Sequence, residues 1–124
     1  MSLLIVTTGG TIDKVYFDAK SDFEVGESVV SDLLKQAHVR APFTVVSPLR
    51  KDSLELTDED RRLIRSTIEA RTERQIVVTH GTDTMTDSAA VLSDLTDRVV
   101  VMTGALAPAR FAETDAVFNV GMAV

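Results

Sequence analysis

Four short apolar runs, each closing on glycine or small polar residues, set the tightest limit on what this chain can fold into. Leu3–Thr7 runs into Gly9-Gly10, Phe43–Val46 lies between Pro42 and Pro48, Ile76–Thr79 runs into His80-Gly81, and Val99–Met102 ends at Thr103-Gly104. Short apolar runs bounded by turn residues fit strands buried on both faces. The segments between them carry helical spacing. Val29, Val30, Leu33, Leu34 and Ala37 predict a helix over roughly residues 27–38. Thr57 is placed to cap a second helix, with Asp58, Glu59 and Asp60 in the first turn, where the helix dipole favours negative charge. Leu63, Ile64 and Ile68 form its apolar face. A third helix is expected from Asp83, carrying Met85, Ala89 and Leu92, and a fourth from about Asp115. The order β-α-β-α-β-α-β-α is that of an α/β fold: three layers, α/β/α, around a mostly parallel, Rossmann-like sheet.

At 124 residues the chain makes one domain, 1–124, and the sequence holds no repeat, low-complexity stretch or internal linker. A net charge of −6 argues against nucleic-acid binding, which needs a basic footprint. With no cysteine there are no disulfides or thiolate metal sites, and His38 and His80 show no ligand spacing. No apolar run approaches a bilayer span, no basic stripe suggests a membrane surface, and the first residues lack a signal peptide's basic region. A soluble, cytoplasmic protein is expected. One stretch is irregular: Asp13–Gly26 is long for a strand-to-helix connection, and Tyr16, Phe17 and Phe23 mark it as a lid rather than a linker.

Ligands of open parallel sheets bind beyond the carboxyl ends of the strands, so the residues after each strand belong together. They are Thr7-Thr8-Gly9-Gly10-Thr11, Arg50-Lys51-Asp52-Ser53, His80-Gly81-Thr82-Asp83-Thr84 and Thr103-Gly104-Ala105. Taken singly these are unremarkable, since Gly9-Gly10 serves a tight turn and Thr82 or Asp83 an ordinary helix N-cap. The glycine spacing fits neither a dinucleotide fingerprint nor a P-loop. Two threonine-bearing glycine loops on one edge are what favour a site.

Thr8-Gly9-Gly10-Thr11-Ile12 and His80-Gly81-Thr82-Asp83-Thr84 resemble the two signature segments of bacterial-type L-asparaginases, in the same order and at similar separation. Asp52–Thr57 is similar to that family's loop for the substrate carboxylate, and Val101–Ala105 with Asp115–Asn119 to the following strand and helix. The resemblance implies the family's N-terminal domain fold and hydrolysis of the L-asparagine side-chain amide, without metal or cofactor. Thr11 then matches the nucleophile, and Thr82 and Asp83 the second threonine and the carboxylate that holds the substrate amino group. Ser53 matches a substrate-carboxylate ligand and Tyr16 the tyrosine of a mobile loop; Gly10 and Gly81 are expected to bind substrate through loop N–H groups that no Cβ blocks. Amide hydrolysis needs a nucleophile, a route for its proton and donors for the oxyanion, and these residue types supply them.

The sequence departs from the family in three ways. No lysine among Lys14, Lys20, Lys35 and Lys51 matches the one paired with the second threonine. Leu54 stands where a polar residue neighbours the serine, and the family's C-terminal domain is expected to be absent. The final helical pattern is expected to continue past Val124, or to close a short single-domain branch of the family. A homo-oligomer, with apolar surface near the C-terminus, is the natural way to close the open edge. Glutamine hydrolysis, an ammonia-supplying amidotransferase subunit and a non-catalytic amino-acid sensor remain alternatives. His80 reads as a packed, hydrogen-bonded histidine rather than a base, and Arg110 as a solvent-facing arginine.

Overall fold

A computed structural model describes residues 2–17, 22–25 and 28–124, with the backbone alone for residues 15–17 and 22–25. Four parallel strands form its main sheet: β1 (Leu3–Thr7), β4 (Phe43–Val46), β5 (Gln75–Thr79) and β6 (Val99–Thr103), in the order β4-β1-β5-β6. Leu3 pairs with Phe43 on one side and Gln75 on the other, and Gln75 with Val99, so all four strands end on one edge. Four helices accompany the sheet: α1 (Val30–Gln36), α2 (Asp58–Glu69), α3 (Met85–Leu92) and α4 (Ala116–Ala123).

The two central strands are apolar through their middles, Leu3–Val6 and Ile76–Val78, because both faces are covered there. Leu3, Ile5 and Val77 point to one side, where Val30 and Leu34 of α1 and Ala116 and Val120 of α4 pack on them. Leu4, Val6, Ile76 and Val78 point to the other, against Ile64 and Ile68 of α2 and Leu92 of α3. The period-two alternation of a strand thus divides one apolar run between two cores, each buried aliphatic contributing about 1.5–3 kcal/mol. Three layers result, as the sequence predicts. Leu63 is the exception on α2: it is exposed, because Ile64 and Ile68, one turn apart, take the inward stripe.

Three boundaries differ from expectation. Part of the Asp13–Gly26 stretch is regular: β2 (Lys14–Phe17) and β3 (Asp22–Val25) pair antiparallel, Tyr16 opposite Phe23. Asp22–Val25 alternates polar and apolar residues but Val15-Tyr16-Phe17 does not, so the pattern is too short and irregular to stand out. Helix α3 begins at Met85, not Asp83, so neither Thr82 nor Asp83 caps it. Thr84 occupies the N-cap position, but its amide and hydroxyl are both bonded to Ser53. Helix α1 begins at Val30, because the Val29 amide is held by the Asp13 carboxylate and that of Val30 by the Ser28 hydroxyl. Elsewhere the caps are as read: Thr57 and Asp60 form a reciprocal capping box on α2, and Lys51 also bonds Asp60.

Helix α1 closes with Val39 N–H on the Leu34 carbonyl and His38 N–H on that of Lys35, which forces His38 to φ 53°. That is a Schellman closure with a histidine where glycine is favoured. Replacing it, His38→Gly, is expected to raise unfolding stability by about 1 kcal/mol, by relieving the left-handed conformation. Urea denaturation of the two proteins checks this; a less stable glycine variant would mean the imidazole contributes more than its strain costs.

Candidate active site

Because the strands are parallel, four loops rise from one edge, and backbone hydrogen bonds join them. The Thr8 amide and hydroxyl both donate to the Thr79 carbonyl, at 3.2 and 2.8 Å. Lys51 N–H donates to Thr8 and Gly10 N–H to Lys51, so the second loop is bonded to the first. His80 N–H reaches the Thr103 carbonyl at 2.9 Å, joining the third loop to the fourth.

Glycine then sets how near the loops come. Gly9 and Gly10 have φ of 101° and 88°, which side chains disfavour. A Cβ on Gly10 would lie 2.5 Å from the Gly81 nitrogen, and one on Gly81 would lie 2.7 Å from the Ser53 hydroxyl oxygen. Three loops from distant parts of the sequence therefore meet at Gly10, Gly81 and Ser53 without room for another carbon.

The nominated residues follow directly from this junction. Thr11, half-buried, opens a single 3-10 turn, Thr11–Asp13, right after Gly10. Ile12 is buried in the core and its carbonyl accepts from Ala109, so the turn is anchored beneath Thr11. Thr82 and Asp83 are exposed immediately after Gly81. Ser53 is buried, its oxygen accepting the Thr84 amide at 3.3 Å and its carbonyl the Thr84 hydroxyl at 2.8 Å. Leu54, beside it, is 76% exposed and turned away from the core. Tyr16 belongs to β2, and its side chain lies outside the described residues.

Several residues that support the junction carry no local signal. Asp13 is buried behind the Thr11 turn, and its carboxylate accepts from Val29, joining the two ends of the ribbon excursion. Burial raises its pKa above the usual carboxylate value, opposed by bonds from Val29 and Ser28 and by the charges of Arg110 and Arg50. Arg110 is exposed, yet it also donates to the Asp13 carbonyl at 3.3 Å, so it is not merely solvated. Lys14, on the ribbon, pairs with Asp52 beside Ser53 at 3.1 Å. Asp115 accepts from the amides of Leu106 and Ala107, and Asn119 donates to the Gly104 carbonyl, which shapes the fourth loop. The Leu106 amide, ahead of that of Ala107, holds the Asp115 pKa below its ordinary value.

Residues 2–124 match the family described as "Asparaginase, N-terminal". The chain belongs to the asparaginase family. It is 28% identical over 134 residues to the glutaminase-asparaginase of Acinetobacter glutaminasificans, covering 99% of this chain and 40% of that one. Among solved structures, the thermostable L-asparaginase of Thermococcus kodakarensis is 30% identical with a TM-score of 0.74, over 94% of this chain and 38% of that one. L-asparaginase I of Vibrio cholerae is 28% identical, also at 0.74, over 98% and 38%. A probable cytoplasmic L-asparaginase of Campylobacter jejuni is 26% identical at 0.68, over 96% and 37%. The asparaginase chain described here thus spans about two fifths of the length of these relatives.

His80 is fully buried, as a packed histidine should be, with Nδ1 2.6 Å from the Gly81 carbonyl and Nε2 2.7 Å from the Ser88 hydroxyl. Burial, seconded by the charge of Arg61, pushes its pKa below the ordinary 6.5, against the bond to Gly81. On acidification the unfolded chain therefore takes up this proton before the folded one does. Stability is expected to fall as pH drops below about 6.5 and to level off below the folded-state pKa. His80→Asn should flatten this part of the curve, above the range where carboxylates protonate. Denaturant midpoints from pH 7 to about 5 test it; equal slopes for both proteins would contradict the assignment.

Proposed function

We propose that this chain forms the amide-hydrolysing centre of an L-asparagine amidohydrolase, with Thr11 as the nucleophile. The Thr11 oxygen attacks the side-chain amide carbon, its proton leaving through Tyr16. Tyr16 passes that proton to the departing nitrogen as the tetrahedral intermediate collapses, so the C–N bond breaks, ammonia leaves and an aspartyl ester remains on Thr11. Water then hydrolyses the ester to L-aspartate and regenerates the hydroxyl, so the step balances without metal or cofactor. Backbone amides of the glycine loops face the developing oxyanion; removing one such donor from a hydrolase costs about 3–4 kcal/mol of transition-state stabilisation. Thr82 assists the reacting centre, Asp83 holds the substrate ammonium, and Ser53 receives the α-carboxylate. Asp83 gives selectivity for an amino acid over a simple amide.

The observation that carries this reading is the contact of Gly81 with Gly10 on one side and Ser53 on the other, which draws together the loops bearing Thr11 and Thr82-Asp83. L-Glutamine is a second substrate on this reading, supported by the relative named a glutaminase-asparaginase. We further propose a cytoplasmic homo-oligomer. No described helix is long and apolar enough to cross a membrane, and one relative is called cytoplasmic. Exposed Val117, Phe118 and Met122 on α4, and Val99 on the edge strand β6, supply apolar contact surface for other copies.

Ammonia release from L-asparagine tests the reaction. Thr11→Val is expected to lower turnover at least about a thousand-fold while leaving the melting temperature close to that of the parent. Retained turnover would remove Thr11 from the nucleophile's role. Asp83→Ala is expected to weaken L-aspartate binding about ten-fold or more, through loss of the charge partner; unchanged affinity would put the amino-group site elsewhere.

A further inference from the structure

The imidazole of His80 is one member of a buried chain of donors that ends on the loop carrying Thr82. Its Nδ1 faces the Gly81 carbonyl and its Nε2 the Ser88 hydroxyl, and that hydroxyl accepts from the Arg61 Nε–H at 3.2 Å. His80 and Ser88 are both buried, and the Arg61 side chain is 10% exposed. Each proton then has a single place. A carbonyl only accepts, so Nδ1 carries the hydrogen. Nε2 is then the acceptor, the Ser88 O–H points to it, and the serine oxygen takes the Arg61 donor. The chain runs in one direction, Arg61 to Ser88 to His80 to the Gly81 carbonyl, and crosses from α2 through α3 to the site.

The far end of this chain has a geometric consequence. The Gly81–Thr82 peptide is trans, as no described peptide is cis, so its C=O and N–H point opposite ways. Holding the Gly81 carbonyl toward His80 turns the Thr82 N–H away from the imidazole. No hydrogen bond among the described residues uses that N–H. Gly81 is meanwhile wedged between Gly10 and Ser53, and Thr84 is bonded to Ser53, so the Gly81–Thr82 peptide lies between two held points. A histidine pinned on both nitrogens holds that peptide against rotation.

We propose that His80, Ser88 and Arg61 are positioning residues that fix the Gly81–Thr82 peptide and so aim the Thr82 backbone amide and side chain at the substrate. The proposal rests on the amide-hydrolase reading, but its structural half does not. Arg61 and Ser88 act only through His80, and none of the three touches substrate. Neither Ser88 nor Arg61 belongs to the motif that nominated the site; they lie 8 and 19 residues from His80 and on other elements.

The experiment uses the full chain labelled with nitrogen-15. In the parent protein the His80 ring nitrogens are expected to report a neutral Nδ1–H tautomer. Ser88→Ala should mix the tautomers, shift the Thr82 amide resonance and lower kcat for ammonia release about ten-fold or more, with KM changed less than about three-fold. Ser88→Thr, which keeps the hydroxyl, should restore the tautomer and most of kcat. Arg61→Ala, at the outer end of the chain, should act in the same direction if the serine variants fold poorly. A parent His80 in the Nε2–H form overturns the proposal. So does a Ser88→Ala variant whose Thr82 resonance and kcat match the parent. A parent that releases no ammonia would sink the hydrolase reading, while the tautomer and the Thr82 shift would still decide whether the relay fixes this peptide.

Discussion

Gly10 lies against the backbone of Gly81 with no side chain between them, and the rest of the site depends on that approach. A larger residue at Gly10 would force apart the loops that carry Thr11 and Thr82-Asp83, and one at Gly81 would push away the loop that carries Ser53. The left-handed backbone at Gly9 and Gly10 contributes the same constraint from within the first loop. A parallel sheet is what brings such loops to one edge, and the register of β1 against β5 sets them level: Thr7 pairs with Thr79, the last residue of each strand. The fold therefore delivers the loops, and the glycines let them touch.

Behind the contact stand further polar residues, each hydrogen-bonded and either buried or half-buried. Asp13 holds the start of α1 and sits under the Thr11 turn, Ser53 is bonded to Thr84, and Asp115 with Asn119 shapes the fourth loop. Small shifts in such supports are costly because a reacting group must be placed within a fraction of an ångström. Lys14, joined to Asp52, ties the ribbon that carries Tyr16 to the loop that carries Ser53. The ribbon is thus linked to the site by a half-exposed ion pair, the kind of contact that is weak singly and easily remade.

Much of this was legible in the residues alone. Strands were readable because the apolar runs are four or five residues long and flanked by glycine or proline, too short for helices, and α2 because its cap, its acidic first turn and its apolar stripe agree. The site loops were readable because two threonine-glycine segments resemble one family, and the family match over residues 2–124 agrees. What escaped is long-range in sequence. The Ser88 and Arg61 partners of His80, the hold of Arg110 on Asp13 and the pairing of Lys14 with Asp52 all join residues with no fixed spacing. Thr84 shows the same limit: its N-cap position is local, but the bonds it makes go to a loop about 30 residues back. For that reason α3 starts at Met85, later than the local pattern from Asp83 predicts.

If the junction of Gly10, Ser53 and Gly81 is the floor of an amino-acid site, L-aspartate, the product, should bind there, and titration of the nitrogen-15-labelled protein with it reads this out. Saturable shifts are expected on the amides of Gly10, Thr11, Ser53, Gly81 and Thr82, with the amides of α1 and the outer end of β6 unmoved. Shifts confined to another face of the sheet, or no saturable shift at millimolar ligand, would contradict it.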